Sequence, residues 1–215
     1  LGIGNGWDVH PSWSPDGKRL AYGDLVEENL DIYVYNLLDD TTKRLTVDEA
    51  SDKFPSWSPD GQSILYVSDR DKEKDNGDSL WLLDFSTGEK KKFDVDLHNI
   101  SDHVWSPDGK WIAVNNGNAG GSWSPQCWIV SSAGGEARLV EAMDAERYWN
   151  WTPSWSPDGK FLVYSSMPAL EQIAQMAVYD VQRSTVSILA EEIVSTRFRD
   201  WTRWCSWSPD GKKIV

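Results

Sequence analysis

Three histidines, two cysteines and fourteen tryptophans are the residues of this 215-residue chain with chemistry to offer. Imidazole is the commonest metal ligand among side chains. His10 and His103 each lie just before a repeated tryptophan, three and two residues ahead (13−10 = 3, 105−103 = 2). Two such histidines could hold a metal only with further ligands. His98 falls in a connecting segment, and the sequence has no histidine after His103. The reading taken is therefore of satisfied strand histidines, with no metal and no cofactor. Cys127 and Cys205 stand alone, 78 residues apart (205−127 = 78), and make neither a disulfide framework nor a zinc site. The stretch Asp69-Arg-Asp-Lys-Glu-Lys-Asp-Asn-Gly-Asp78 is rich in carboxylates. It lacks the sixth-position glycine and closing glutamate of a calcium loop, and its Lys and Arg residues oppose a cation. It reads as a solvated turn. There is no Gly-x-Ser-x-Gly nucleophile elbow, no phosphate-binding glycine loop and no His-Glu-x-x-His pair. No catalytic residue is assigned.

The aromatic residues carry the stronger signal. Trp7, Trp149 and Trp201 each precede a repeated tryptophan by six residues (13−7, 155−149, 207−201). Tyr148-Trp-Asn-Trp151 and Arg199-Asp-Trp-Thr-Arg-Trp204 thicken the pattern. Tryptophan and arginine are enriched where proteins bind one another. The candidate binding residues are Trp7, Asp8, Trp149, Asn150, Trp151, Trp201, Arg203 and Trp204. In that set the rings supply apolar area, and Asp8, Asn150 and Arg203 fix orientation. The competing reading packs these rings between sheets.

The elements that must position them announce themselves by repetition. Trp-Ser-Pro-Asp-Gly-Lys occurs at Trp13–Lys18, Trp105–Lys110, Trp155–Lys160 and Trp207–Lys212, and Trp57–Gln62 ends in Gln. The tryptophans are 44, 48, 50 and 52 residues apart (57−13, 105−57, 155−105, 207−155). A period of this size is the mark of a propeller or solenoid. Ser-Pro-Asp-Gly specifies a type I turn followed by a residue with φ > 0, which closes a tight hairpin. The tryptophan ahead of it should lie buried between sheets. Three further short β-branched and aromatic runs follow each hexapeptide. In the first repeat they are Arg19-Leu-Ala-Tyr22, Asp31-Ile-Tyr-Val-Tyr35 and Lys43-Arg-Leu-Thr46. Four strands per repeat make one blade. Blades are expected at roughly 9–46, 53–94, 101–141 and 151–190, with a partial one at 203–215. One helical turn is expected over Pro168–Ala174.

The run Pro-Ser-Trp-Ser-Pro-Asp-Gly-Lys, then an apolar strand, then Asp-Ile-Tyr-Val-Tyr and Lys-Arg-Leu-Thr, resembles the TolB-type β-propeller repeat. The resemblance covers essentially the whole chain. It implies an all-β propeller of four-stranded antiparallel blades, four complete and a fifth partial. Both termini fall inside repeat units, so the expectation is a segment of a six- or seven-bladed ring. The alternative is a five-bladed ring closed by its own ends. The resemblance further implies a periplasmic or extracytoplasmic scaffold that docks a protein or peptide on the channel face, as a module of a larger assembly. It leaves open a propeller that gates a serine peptidase, a lyase-like channel site and, more weakly, glycan binding. A widely shared fold does not name an activity.

The formal net charge is −13, with 34 acidic against 21 basic residues. A nucleic-acid binder would show a basic face, and none is evident. The acid balance suits basic partners. No apolar run reaches the length of a membrane span.

Overall fold

The computed structural model describes residues 10–26, 28–71, 77–116, 126–140, 148–168, 174–193 and 205–214. The chain forms two compact units, Leu1–Ile100 and Ser101–Val215. The first holds two four-stranded antiparallel meanders. One runs β1 (Ser12–Trp13), β2 (Arg19–Val26), β3 (Asn29–Asn36) and β4 (Thr41–Arg44). The other runs β5 (Asp52–Trp57), β6 (Ser63–Ser68), β7 (Ser79–Asp84) and β8 (Lys90–Lys92). The second unit repeats the plan. Its sheets are β9 (Ile100–Trp105), β10 (Trp111–Asn116), β11 (Gln126–Ser131) and β12 (Arg138–Leu139), then β13 (Tyr148–Trp155), β14 (Phe161–Pro168), β15 (Ala174–Asp180) and β16 (Thr185–Ile193). A lone bridge pairs Trp207 with Ile214 where a further hairpin begins. Pro168 and Ala174 both end strands, and the residues between them, where a helical turn was expected, lie outside the described residues.

The serine, aspartate and glycine of the hexapeptide close its hairpin with one set of hydrogen bonds. In the fourth copy the Gly159 N–H donates to Ser156 O at 2.9 Å, and the Ser156 N–H donates to Phe161 O at 2.8 Å. The Ser156 hydroxyl donates to Asp158 Oδ1 at 2.7 Å and accepts the Phe161 N–H at 2.9 Å. Asp158 Oδ1 also accepts the Lys160 N–H at 3.1 Å. The other four copies repeat the whole set. Gln62 replaces lysine without changing the turn, because only its backbone N–H is needed. The glycine closes the turn in the left-handed region, at φ of 68° to 70° in all five copies.

The tryptophan packs one sheet on the sheet before it. Trp57 is buried among Ala21 and Val34 of one blade and Ile64 of its own, with Leu45 and Phe85 at the margin. Its backbone N–H donates to Ser12 Oγ at 3.0 Å. Trp155 is buried among Ala113, Ile129 and Val140, and its indole N–H donates to Val104 O at 3.1 Å. Trp207 repeats the backbone bond, to Ser154 Oγ at 3.4 Å, and its ring stacks on Phe161. Ser12 and Ser154, which directly precede Trp13 and Trp155, thus each receive the chain of the next repeat.

The expectation that all five tryptophans are buried needs correction. Trp57 and Trp155 are buried, Trp105 and Trp207 are half-buried, and Trp13 is 57% exposed. The burial of this residue comes from the neighbouring sheet and not from its own hairpin. Trp13 sits on the first described sheet, and among the described residues no earlier sheet lies against it.

Two stability measurements follow. Gly61→Val meets only ordinary van der Waals contact, 3.5 Å to Pro15 Cδ, so its cost is backbone strain alone. A loss of about 1–2 kcal/mol is expected in urea unfolding. Trp57→Ala should cost about 3–5 kcal/mol by lost burial and cavity formation. Trp13→Ala, despite its identical motif, should stay within about 1 kcal/mol. Equal costs for the two tryptophans would contradict the packing described.

Candidate functional site

Of the eight candidate binding residues, Trp149, Asn150 and Trp151 lie together on β13. They pair in register with Met167, Ser166 and Ser165 of β14. Trp7, Asp8, Trp201, Arg203 and Trp204 lie outside the described residues. The described part of the site is the leading half of β13. It precedes a bulge between Trp151 and Ser154, beyond which the strand runs on to the buried Trp155. β5 bulges at the matching place, between Lys53 and Ser56. There Phe54 takes φ 54°, and its ring meets His10 edge-on at 4.5 Å. A bulge re-aims the strand leading into each repeat, so the segment ahead of it is placed independently of the packed tryptophan behind it.

The repeat frame identifies a counterpart of Asp8 and Asn150 whose surroundings are described. Both precede their repeat tryptophan by five residues (13−8, 155−150), as Asp52 precedes Trp57 (57−52). Asp52 is fully buried, and Arg70 donates to both of its carboxylate oxygens from one nitrogen, at 3.0 and 2.9 Å. Arg70 also reaches Asp48 at 3.3 Å and lies over the Trp81 ring at 4.3 Å. Lys90 closes the cluster on Asp48 at 3.4 Å. Burial raises the Asp52 carboxyl above its ordinary 3.8, against the opposing pull of Ser68 and Arg70. Burial works against the Arg70 charge as well, yet Asp52 prevails and raises the guanidinium pKa. In this blade, then, the position is structural. Sequence reading missed this cluster. Its signal was an acid five residues before the tryptophan and an arginine thirteen after it (70−57 = 13).

The remaining polar candidates are engaged elsewhere. Lys53 pairs with Asp78 at 2.8 Å and Lys92 with Asp71 at 3.9 Å, while Asp69 accepts the Ser51 N–H at 2.7 Å. The acidic loop therefore directs these described carboxylates into its own blade. His98 lies 3.2 Å from Asp96, and His103 is buried on β9. Among the described residues no three His, Cys, Asp or Glu side chains gather as a metal would require. No disulfide joins Cys127 and Cys205. Burial pushes the Cys127 thiol far up and the Cys205 thiol to about 11, so neither is a ready nucleophile. Among the described residues no helix is long and apolar enough to cross a membrane.

Comparison with known proteins agrees with this architecture. The model of the TolB beta propeller domain matches residues 2–75. TolB from Acinetobacter baumannii superposes with a TM-score of 0.69 at 24% identity, over 88% of this chain and 45% of that one. Over residues 2–75 the chain belongs to the TolB-type β-propeller repeat family. Residues 46–215 also match the model described as Eukaryotic translation initiation factor eIF2A, and over that span the chain belongs to this family too. That description names a set of related sequences and puts no role in translation on this TolB-type propeller. An uncharacterized protein of Agrobacterium fabrum, Atu1656, is 32% identical over 95% of this chain and 64% of its own length. Dipeptidyl-peptidase 5 of Porphyromonas gingivalis is 33% identical over 47% of this chain and 16% of its own length. The chain thus spans less than two thirds of each of these relatives.

The turn aspartates set a pH dependence. In Asp16, Asp60, Asp158 and Asp210 the serine hydroxyl first, and then a backbone N–H, hold the carboxyl below its ordinary 3.8. At Asp108 burial pulls upward, but the same donors prevail. A lowered carboxyl pKa gives stability that is present above 3.8 and lost as pH falls through the folded value, about 2 for Asp158. Asp52 acts in the opposite sense, its ionisation costing stability as pH rises above 3.8. Ser156→Ala should therefore move the Asp158 titration, followed by carboxyl NMR, up toward 3.8 and flatten the loss of stability between about pH 4 and pH 2. An unmoved Asp158 titration would show that the hydroxyl does not hold the charge.

Proposed function

We propose that this propeller is a non-catalytic binding scaffold, extracytoplasmic and a module of a larger assembly. It docks a protein or peptide through Trp7, Asp8, Trp149, Asn150, Trp151, Trp201, Arg203 and Trp204 on the channel face of a larger ring. One observation carries the reading. Asp52 is tied down by Arg70, but the residues that match Arg70 in the first and fourth repeats are Val26 and Pro168 (13+13, 155+13). Neither can donate to a carboxylate or an amide oxygen. Asp8 and Asn150 therefore have no arginine at the sequence position from which Arg70 holds Asp52, and each stands directly after a tryptophan. An anchoring ring beside a polar group with bonding capacity to spare is what a docking surface requires. The net charge of −13 favours a basic partner and counts against nucleic acid.

The partial match to dipeptidyl-peptidase 5 favours a second reading, in which such a propeller gates a peptidase. Labelling of the full-length native protein with a fluorophosphonate separates the two, since only a serine peptidase takes up the label.

The test of the first reading is recovery of the partner from native extract on immobilised protein. Trp201→Ala combined with Trp204→Ala should lower recovery by about tenfold or more, because a hot-spot tryptophan contributes about 2 kcal/mol or more. The double variant must first show an unchanged circular dichroism spectrum and melting temperature. Undiminished recovery would sink the proposal.

A further inference from the structure

The outer strands of the four blades are not alike. Each leaves one backbone edge without a neighbouring strand among the described residues. Exposed edges invite pairing by foreign strands, and proteins discourage this with short strands and positive charge, lysine above all. Three of the four follow that rule. β4 has 4 residues and carries Lys43 and Arg44. β8 has 3, all lysine, and β12 has 2, one of them Arg138. β16 breaks it twice. It runs 9 residues, Thr-Val-Ser-Ile-Leu-Ala-Glu-Glu-Ile, and contains no basic residue. Arg183 stands two residues before it, but its guanidinium is held by Asp180 at 2.7 Å.

β16 is also well supported from behind. Val186 and Ile188 pack on the buried cluster of Tyr164, Ala177 and Tyr179, and β15 pairs with it from Asp180↔Thr185 to Ala174↔Ile193. Thr185, Ser187 and Leu189 alternate with them and are exposed, Leu189 by 53%. The edge is thus long, regularly paired over Thr185–Ile188 with register shifts beyond, and free of basic residues, and it offers an apolar side chain.

We propose that β16 is a docking edge, to which an extended basic segment of a partner protein adds as a fifth strand of that sheet. Main-chain hydrogen bonds would supply affinity and alternate side chains the selectivity, as in other strand additions. Charge selects the occupant. Glu191 and Glu192 lie within the strand, and the chain carries a net −13. A second copy of this chain would bring a second net charge of −13 to the complex, whereas a lysine-bearing segment is drawn to it.

The probe is a fluorescein-labelled nonapeptide, Lys-Val-Thr-Val-Lys-Val-Thr-Val-Lys, titrated by anisotropy against the full chain. Two controls replace its lysines by glutamate or its central lysine by proline. The expected result is saturable binding of the basic peptide alone, with slowed amide hydrogen exchange confined to 185–193. Ser187→Lys combined with Leu189→Lys supplies the missing guard at two exposed positions. It should weaken binding about tenfold or more while leaving thermal unfolding unchanged. A second variant, Leu189→Thr, keeps the charge and should weaken binding less. The proposal fails if the basic peptide does not bind, if the guarded variant binds equally, or if protection appears elsewhere. It fails also if sedimentation shows a dimer whose 185–193 amides are already protected, since the occupant would then be a second copy.

Discussion

A single four-stranded sheet cannot bury both of its faces, and this constraint organises the chain. Within each unit one blade packs on the next, and the contact between them is the tryptophan that opens the hexapeptide. Trp57 and Trp155 show what that contact requires. The ring lies on Ala21 and Val34, or on Ala113 and Ile129, of the blade before it. The flanking bonds, Trp57 N–H to Ser12 Oγ and Trp155 Nε1–H to Val104 O, fix where it lies. The serine–aspartate–glycine turn behind it holds the hairpin in one shape whatever the rest of the blade contains. Because the serine hydroxyl, the aspartate carboxylate and the glycine N–H find their partners within the hairpin, these bonds need no residue from outside it. That independence explains why the motif recurs unchanged while the strands around it vary.

The blades were legible in the sequence because both of their determinants are local. Turn chemistry lies within six residues and strand alternation within eight. The five glycines adopt the left-handed conformation that Ser-Pro-Asp-Gly demands. Tryptophan burial was legible only in part. The motif fixes where the ring points, but exposure depends on a second sheet, which a local pattern does not reveal. Trp13 and Trp57 have the same flanking residues, Pro-Ser before and Ser-Pro-Asp-Gly after, and opposite environments.

The candidate site was less legible, for a related reason. The aromatic excess ahead of the repeat tryptophans is visible as composition, but the use of each polar residue depends on pairs far apart in the chain. Asp52 finds Arg70 eighteen residues on (70−52 = 18), across a hairpin. Neither residue type announces the pairing. What exposes it is alignment of the repeats on their own tryptophans, which puts Arg70, Val26 and Pro168 at one position. A carboxylate that reads as a binding group in one blade is thereby seen to be a strut in another.

In a chain built from copies, the shared positions are those that the fold cannot do without, and they are occupied by packing and turn formation. Specific function has to reside where one copy departs from the others. Two departures stand out physically. One is the replacement of the arginine thirteen residues after the tryptophan by Val26 in the first repeat and Pro168 in the fourth, where the acid or amide at the position of Asp52 directly follows a tryptophan in sequence. The other is the outer strand β16, which exceeds β4, β8 and β12 in length and lacks their positive charge. Neither follows from the needs of a stable blade, since the second blade manages with Arg70 and with three lysines along β8. An unguarded edge carries a standing risk of aggregation. A net charge of −13 lowers that risk by repelling other copies of the chain while attracting cationic segments. The acid balance and the bare edge are thus two parts of one arrangement, and each is tolerable because of the other.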